Sequence, residues 1–247
     1  MRRFGLIGFP LSHSFSQKYF EEKFQREGIT DCRYELYPIK SIYELSDLLL
    51  AYPDLLGLNV TIPYKQLVIR RLTSTIHLPM GLRACNCIRI DNKQLIGYNT
   101  DIIGFRRSFT ELLQPHHKKA LILGNGGAAA AVAYCLDQLG IDYNIVSRKL
   151  HDGSTLTYSD INENVIATHQ VIINTTPVGM YPVIDEAPPL PYQAITPRHY
   201  LFDLLYNPAK TLFLKKGEDR GALIRNGHEM LVIQAEESWK IWNGEVS

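Results

Sequence analysis

The stretch Ala120–Gly140, ALILGNGGAAAAVAYCLDQLG, decides the fold of this 247-residue chain. ALIL predicts a buried β-strand, and GGAAAAVAYCLDQL predicts a helix that stops at Gly140. Between them Gly124, Gly126 and Ala129 match G-x-G-x-x-A, a pattern that brings backbone close to a pyrophosphate at the positive start of a helix. An ordinary glycine- and alanine-rich turn is the alternative. The position between strand and helix favours dinucleotide binding.

The next predicted strand, YNIV, ends in Ser147, Arg148 and Lys149. An NAD site usually places Asp or Glu here for the ribose 2′-hydroxyl, whereas two cations and a hydroxyl suit a 2′-phosphate. We therefore expect NADP rather than NAD. A solvated basic turn is the alternative, and Asp152, a few residues further on, argues against a strict preference.

The alternation of strands and helices extends in both directions from the glycine loop. QVIIN, YLFDL and ALI read as further strands, and short apolar strands separated by helices predict a parallel sheet. The first hundred residues contain a separate alternation in which FGLI, CRYELYPI and LLGLNVTI are strands, followed by a hairpin, CIRIDNKQLIGY, that turns at Asp91-Asn92. We predict a domain boundary near Asn99 to Thr100.

The charge balance and the distribution of apolar residues argue against some classes of function. Lys plus Arg (26) nearly balances Asp plus Glu (25), and no run of five like charges occurs, which argues against nucleic-acid binding. No segment approaches 18 consecutive apolar residues, so we expect no membrane span and a cytoplasmic protein.

The four cysteines are expected to be free thiols. Cys85 and Cys87, with His77 upstream, could suggest zinc, but no second ligand pair follows at a recognised spacing, and we expect no metal. If RACNCIRI is a strand, both cysteines lie on one face and Asn86 on the other.

Eight motifs occur along the chain, and together their residues and their order identify a family. They are SHS (12–14), NVTIPYK (59–65), Asn86, GYNTD (97–101), GNGGAAA (124–130), INTTPVGM (173–180), DLLYNP (203–208) and NGHEMLVIQA (226–235). On these motifs the sequence resembles the shikimate dehydrogenase family over essentially its whole length.

The resemblance implies a three-layer α/β/α fold in two domains. An N-terminal α/β substrate domain, 1–99, would be completed by a C-terminal helix, 227–247, and an NADP-binding Rossmann-like domain would span 100–226. The implied reaction is the reversible NADPH-dependent reduction of 3-dehydroshikimate to shikimate, in aromatic amino-acid biosynthesis. Small-molecule substrates are the only partners implied, and the chain would be a monomer or homodimer.

The resemblance also implies the site. The residues matching substrate-binding positions are Ser12, Ser14, Thr61, Lys65, Asn86, Asp101, Tyr206 and Gln234. Those matching cofactor-binding positions are Gly124, Asn125, Gly126, Gly127, Ala128, Ser147, Arg148, Lys149, Leu204 and Gly227. Several have plainer alternatives: Ser14 could cap the next helix, Gln234 could be a solvated helix residue, and Tyr206 could be core packing. His77 stands where relatives often carry an acid, and no role is carried over to it.

Lys65 is the predicted catalytic acid. Pro63 suits the first turn of a helix, PYKQLVIRRL, which would place Lys65 near that helix start. A cation there opposes the macrodipole, a penalty that an ordinary surface charge would not explain. By the resemblance, Lys65 protonates the developing alkoxide and Asp101 holds it.

Two other functions remain open. A quinate/shikimate dehydrogenase that accepts NAD as well as NADP would carry the same motifs. A non-catalytic NADP-sensing module on the same fold would be expected to have lost Lys65 or Asp101, and both are present.

Overall fold

The structure is a computed structural model that describes residues 1–11, 14–150 and 155–245. The chain divides into two compact units, Met1–Ile103 with Leu231–Ser247, and Gly104–Met230. We call these the first and second unit. The predicted boundary at 99–100 comes just before a helix, and the boundary between the units falls inside that helix.

The described residues form eleven strands and seven α-helices. In chain order they are β1 (Arg2–Gly8), α1 (Phe15–Arg26), β2 (Cys32–Pro38), α2 (Leu45–Ala51), β3 (Leu55–Val60), β4 (Cys87–Asp91), β5 (Gln94–Tyr98), α3 (Asp101–Thr110), β6 (Lys119–Leu123), α4 (Gly127–Leu139), β7 (Asp142–Ser147), β8 (Leu156–Thr157), α5 (Glu163–Thr168), β9 (Val171–Asn174), β10 (Tyr200–Asp203), α6 (Leu212–Glu218), β11 (Leu223–Arg225) and α7 (His228–Trp242).

The first unit is built on a five-stranded mixed sheet in the order β2-β1-β3-β4-β5. β1 pairs in parallel with β2 and β3, whereas β4 pairs antiparallel with β3 and β5. Helix α7 returns to this sheet, where the Trp242 ring stacks on Phe4 with centroids 4.9 Å apart. The Trp242 indole N–H also donates to Ile88 O at 3.0 Å. The C-terminal helix therefore supplies part of the core of the first unit.

The second unit contains a six-stranded parallel sheet in the order β11-β10-β9-β6-β7-β8. The first strand of the unit, β6, lies between β7 and β9, so the strand order reverses there. In doubly wound sheets, ligands bind at the carboxyl ends of the strands beside this reversal. Gly140 ends α4 with a φ of +65°, which confirms the predicted helix stop.

Three local predictions in the first unit are wrong. PYKQLVIRRL is not an α-helix: residues 61–66 form turns, and only Leu67–Arg71 is helical, as a 3₁₀ segment. Lys65 therefore does not lie in a helical first turn, and the macrodipole argument does not apply to it. The hairpin loop is Asn92-Lys93, one residue later than predicted, since Asp91 pairs with Gln94.

The prediction that RACNCIRI forms a strand with both cysteines on one face is also wrong, because the strand is shorter than predicted. The strand begins only at Cys87, so a period of two does not hold through residues 83–86. Cys85 packs in a cluster with Ile88 and Val60, whereas Cys87 packs in a different cluster with Tyr98 and the residues of α7. The two cysteines do not share a face.

No helix of the described residues is long and apolar enough to cross a bilayer. Within that same part of the chain, no group of three or more His, Cys, Asp or Glu side chains could hold a metal ion.

Candidate active site

The segment that carries Lys65 is held by backbone hydrogen bonds on both sides. Thr61 N donates to Ile7 O at 3.0 Å and Cys85 N donates to Lys65 O at 2.8 Å. Between them Tyr64 is buried and its hydroxyl donates to Ile39 O at 2.7 Å. The Lys65 backbone is thus fixed to strands and loops of the sheet although it has no helix of its own.

Lys65 Nζ lies 2.6 Å from Asp101 Oδ2. The Lys65 side chain is 17% exposed and that of Asp101 is 6% exposed, so the pair is shielded from water while the ammonium still reaches it. Asp101 is the first residue of α3, where the positive end of the helix dipole favours a carboxylate. Lys65 and Asp101 thus form a shielded ion pair in the first unit.

Asn86 connects this ion pair to the C-terminal helix. Its side-chain nitrogen lies 2.9 Å from Asp101 Oδ1, 2.9 Å from Thr100 Oγ1 and 3.2 Å from Gln234 Oε1. Its oxygen accepts from Thr100 N at 2.7 Å. Both carboxylate oxygens of Asp101 are therefore engaged, one by Lys65 and one by Asn86.

Gln234 is buried, so the alternative of a solvated helix position is excluded. Its side-chain oxygen lies toward Asn86 and also 3.4 Å from Thr100 Oγ1. Helix α7 thus brings Gln234, from a point far along the sequence, to Asn86 and Thr100, and Asn86 in turn contacts Asp101.

Three substrate predictions in the first unit remain: Ser14, Thr61 and Ser12, the last of which lies outside the described residues. Ser14 is the N-cap of α1, and its hydroxyl oxygen accepts from Gln17 N at 3.4 Å. A capping hydroxyl keeps its own proton, so this role leaves Ser14 able to donate to a ligand. Thr61 is partly exposed next to the turn that carries Lys65.

In the second unit the predicted pyrophosphate loop joins β6 to α4. Gly124 has a φ of +104°, and a Cβ placed on it would lie 2.7 Å from Thr175 Oγ1. A Cβ on Gly126 would meet nothing within 4 Å, and Gly126 caps α4 without a side-chain hydrogen bond among the described residues. Asn125 and Gly126 are exposed, whereas Gly127 and Ala128 are partly buried. The N-terminal end of α4 and the space beside Gly126 fit an anionic pyrophosphate.

The predicted 2′-phosphate group follows β7. Arg148 and Lys149 are exposed, and Ser147 is buried with its hydroxyl donating to Lys149 O at 2.5 Å. Both cations follow directly at the carboxyl end of the strand. Asp152, the residue that weakened the NADP preference, lies outside the described residues.

Leu204 and Gly227, far apart in sequence, are in direct contact. A Cβ on Gly227 would lie 2.1 Å from Leu204 O, so only glycine fits there without a backbone shift. Gly227 N donates to Leu205 O at 2.9 Å. Tyr206 is partly buried in the same loop, and burial raises its pKa, so its hydroxyl stays protonated at neutral pH.

A buried carboxylate that sequence reasoning missed supports this loop. Asp203 is fully buried and accepts from Asn174 Nδ2 at 3.1 Å, Leu205 N at 3.0 Å and Thr211 Oγ1 at 2.6 Å. Burial raises its pKa to about 6, against the opposing effect of these three donors. The motif DLLYNP contained Asp203, but nothing in the sequence showed what it would face.

Three polar residues of the first unit were missed as well: Asn59, Thr100 and Ser238. Asn59 lies inside the motif NVTIPYK and Thr100 inside GYNTD, and their place in these motifs was the only sequence signal for a functional role. Ser238 had none, because its partners Asn59 and Thr100 come from two distant segments.

His77 stacks on Tyr98 with ring centroids 4.6 Å apart.

Burial raises the pKa of the Cys85 thiol to about 12 and raises that of Cys87 as well. Both thiols therefore stay neutral, as packing groups would.

A doubly wound parallel sheet with a glycine-lined helix start, on the same chain as a shielded lysine–carboxylate pair, defines a two-unit α/β protein of the nucleotide-dependent dehydrogenase class. Comparison with known proteins narrows this class. Residues 6–88 match the shikimate dehydrogenase substrate binding domain. The chain is 36% identical over 257 residues to the shikimate dehydrogenase (NADP(+)) of Clostridium beijerinckii, covering 98% of this chain and 92% of that protein.

Solved structures agree. The shikimate dehydrogenase of Aquifex aeolicus superposes with a TM-score of 0.86 at 32% identity, covering 100% of this chain and 94% of that one. The Thermus thermophilus enzyme, solved with NADP(H) and shikimate, superposes with a TM-score of 0.85 at 25% identity, covering 99% and 94%. A quinate dehydrogenase from Corynebacterium glutamicum, solved with NAD, gives 0.84 at 25% identity, covering 98% and 94%. The chain belongs to the shikimate dehydrogenase family, a family of oxidoreductases.

Proposed function

We propose that this protein catalyses the reversible NADPH-dependent reduction of 3-dehydroshikimate to shikimate. The observation that carries the proposal is the Lys65–Asp101 pair, with Nζ and Oδ2 2.6 Å apart in a shielded part of the first unit. Family membership supports the substrate and the cofactor.

Lys65 is the proposed proton donor. Reduction of a ketone places negative charge on its oxygen, and a positioned acid must deliver a proton to it. The Lys65 ammonium has three hydrogens, and one of them is directed at Asp101 Oδ2. The others are available to the ketone oxygen, and in the oxidation direction the neutral amine accepts the proton back.

Asp101 orients Lys65 and is itself held by Asn86. The nicotinamide supplies the hydride when it is bound. The residues of this chain proposed to hold it are the glycine loop, the basic pair after β7, and the Leu204–Gly227 contact. The substrate is held, in this proposal, by Ser12, Ser14, Thr61, Asn86, Tyr206 and Gln234.

A second candidate is a quinate/shikimate dehydrogenase that also uses NAD. Likeness to the NAD-bound quinate dehydrogenase favours it, as does the pair Arg148 and Lys149, which are exposed after β7 and have no third cation beside them in the sequence.

One assay tests both candidates. The purified chain is given shikimate or quinate with NADP⁺ or NAD⁺, and reduced nicotinamide is followed at ~340 nm. We expect kcat/KM to be largest for shikimate with NADP⁺. Comparable values for quinate with NAD⁺ would favour the second candidate, and no oxidation of either polyol by a folded, NADP⁺-binding chain would favour a non-catalytic module.

A further inference from the structure

Thr100 and Ser238 are both fully buried, and their hydroxyl oxygens lie 3.3 Å apart. We call these two residues the hydroxyl pair. We propose that the hydroxyl pair is a positioning element that fixes which end of the Gln234 amide faces the substrate. The inference rests on the proposed function, because it concerns residues that would hold shikimate.

The first fixed point is the amide of Asn59, in the motif NVTIPYK. Its nitrogen lies 3.3 Å from Asn86 O and 2.9 Å from Ser238 Oγ. A backbone carbonyl can only accept, so the N–H end must lie there, and Asn59 Oδ1 accepts from the Tyr34 hydroxyl at 2.9 Å. Ser238 Oγ therefore receives a hydrogen from Asn59 and donates its own to Gln234 O, 2.8 Å away.

The second fixed point is the backbone N–H of Thr100. It donates to Asn86 Oδ1, which forces the Asn86 N–H₂ group toward Thr100 Oγ1 and Asp101 Oδ1. Because Thr100 Oγ1 accepts from Asn86, its own hydrogen is free to go to helix α7. The acceptors there are Ser238 Oγ at 3.3 Å and Gln234 Oε1 at 3.4 Å.

These directions determine what Gln234 offers. Both Asn86 hydrogens go to Thr100 Oγ1 and Asp101 Oδ1, so the donor for the Gln234 oxygen is the Thr100 hydroxyl, 3.4 Å away. The Asn86 nitrogen, 3.2 Å from that oxygen, would oppose an N–H₂ group in its place, so the Gln234 N–H₂ group is the end left for a ligand. Within the part of the chain that the structure describes, no protein acceptor bonds Gln234 Nε2. The first unit thus presents hydrogen-bond donors, the Lys65 ammonium and the Gln234 amide, and selects a substrate by its acceptor oxygens.

The direct test removes one hydroxyl at nearly constant volume. In Thr100→Val the backbone N–H still holds Asn86, but Gln234 loses a donor and can reverse its amide. We expect KM for shikimate to rise five- to tenfold, with kcat and KM for NADP⁺ within twofold of wild type. Thr100→Ser keeps the hydroxyl and should restore KM. Thr73→Val removes a hydroxyl that, among the described residues, bonds to Leu95 alone; it is the control and should leave all three constants unchanged.

A double-mutant cycle separates positioning from general loosening. Gln234→Ala removes the group through which Thr100 acts, so adding Thr100→Val to it should raise KM by less than twofold. Ser238→Ala is a second, milder variant expected to raise KM in the same direction. Additive effects of Thr100→Val and Gln234→Ala, or a KM within twofold of wild type in Thr100→Val, would overturn the proposal.

The amide orientations can also be measured without turnover. The side-chain N–H₂ resonances of Asn86 and Gln234, assigned by NMR, should shift in Thr100→Val and return in Thr100→Ser. Unchanged resonances in the valine variant would refute the positioning role even if wild type oxidises shikimate. Absence of shikimate oxidation by wild type would refute the proposed function separately.

Discussion

Asp101 uses both of its carboxylate oxygens inside the chain, one on Lys65 and one on Asn86. This arrangement matters at the scale of single residues because a carboxylate with one free oxygen could rotate and take Lys65 with it. With both oxygens engaged, the Lys65 ammonium has one direction. Burial of an ion pair such as Lys65–Asp101 costs desolvation free energy, so the pair is weak evidence for a gain in stability. A role in proton transfer explains its presence better.

Removal of the proton donor should therefore affect turnover more than binding. For Lys65→Ala we expect kcat to fall by about 10² to 10⁴, roughly 3 to 5 kcal/mol of barrier, with a small change in KM for shikimate. Steady-state kinetics with shikimate and NADP⁺ measure this. Lys93→Ala, in the exposed hairpin loop, is the matched lysine control, and a kcat for Lys65→Ala within tenfold of wild type would disprove the assignment.

Asp203 should make the second unit less stable as pH rises. Its pKa of about 6 in the folded chain lies above the ordinary 3.8, so the folded state retains the proton longer than the unfolded state does. The stabilisation of wild type relative to Asp203→Asn is then largest below about pH 4 and is lost as pH rises to about 6. The change is on the order of 3 kcal/mol.

The measurement is the free energy of unfolding by urea for both proteins at several pH values between 4 and 7. Asparagine keeps the shape of the side chain but does not titrate in this range. Parallel curves for the two proteins would show that Asp203 does not titrate as its burial indicates.

At the scale of elements, the turn from β6 into α4 contains two glycines that belong to one sequence motif but have different structural surroundings. Gly124 is needed by the fold, since its φ is positive and a Cβ would contact Thr175 Oγ1. Gly126 has open space where a Cβ would lie, so the fold does not need it. If it is required, the requirement comes from a ligand.

This difference predicts two separable variants. Gly126→Ala should change the free energy of unfolding by less than about 0.5 kcal/mol but weaken NADP⁺ binding at least tenfold, because the methyl group occupies the space proposed for the pyrophosphate. Gly124→Ala should cost roughly 1 to 3 kcal/mol of stability. Urea unfolding and titration calorimetry with NADP⁺ measure the two effects, and unchanged NADP⁺ affinity in Gly126→Ala would remove this loop from the cofactor site.

At the scale of the whole molecule, the last helix belongs to the first unit although the second unit comes between them in sequence. The Trp242 ring packs against Phe4 and Phe20 and lies directly over Gly57, where a Cβ would come within 2.3 Å of the indole. The same helix carries Gln234, which lies beside Asn86, the residue that holds Asp101. The completion of the core and the completion of the site thus depend on one element.

Loss of Trp242 should therefore destabilise the first unit. We expect Trp242→Ala to cost about 3 to 5 kcal/mol, as for other buried aromatic truncations. Trp239→Ala, on the same helix but partly exposed, should cost less. Both tryptophans of the chain lie in α7, so the fluorescence of the remaining one follows unfolding of this unit in urea. Equal losses for the two variants would contradict the packing argument.

The sequence alone determined the features that depend on neighbours along the chain. The strand–glycine–helix pattern at 120–140 predicted β6, the turn and α4 correctly, because period, propensity and capping are local. The ordered motifs predicted the family. The local reading failed at PYKQLVIRRL, where packing of Tyr64 and the Cys85–Lys65 backbone bond replaced a predicted helix.

Only the tertiary structure decided which polar groups meet. Asn59, Asn86, Thr100 and Ser238 come from four segments that only the folded chain brings together. The bonds of Asn59 and Thr100 to Ser238 exist only after α7 has packed on the first sheet. The directions of the Asn59 and Asn86 amides follow from backbone groups across the core, not from sequence neighbours. Lys65 was recognisable in sequence as a candidate acid, but what holds it in place is a property of the folded core, since burial is what leaves each donor and acceptor so few partners.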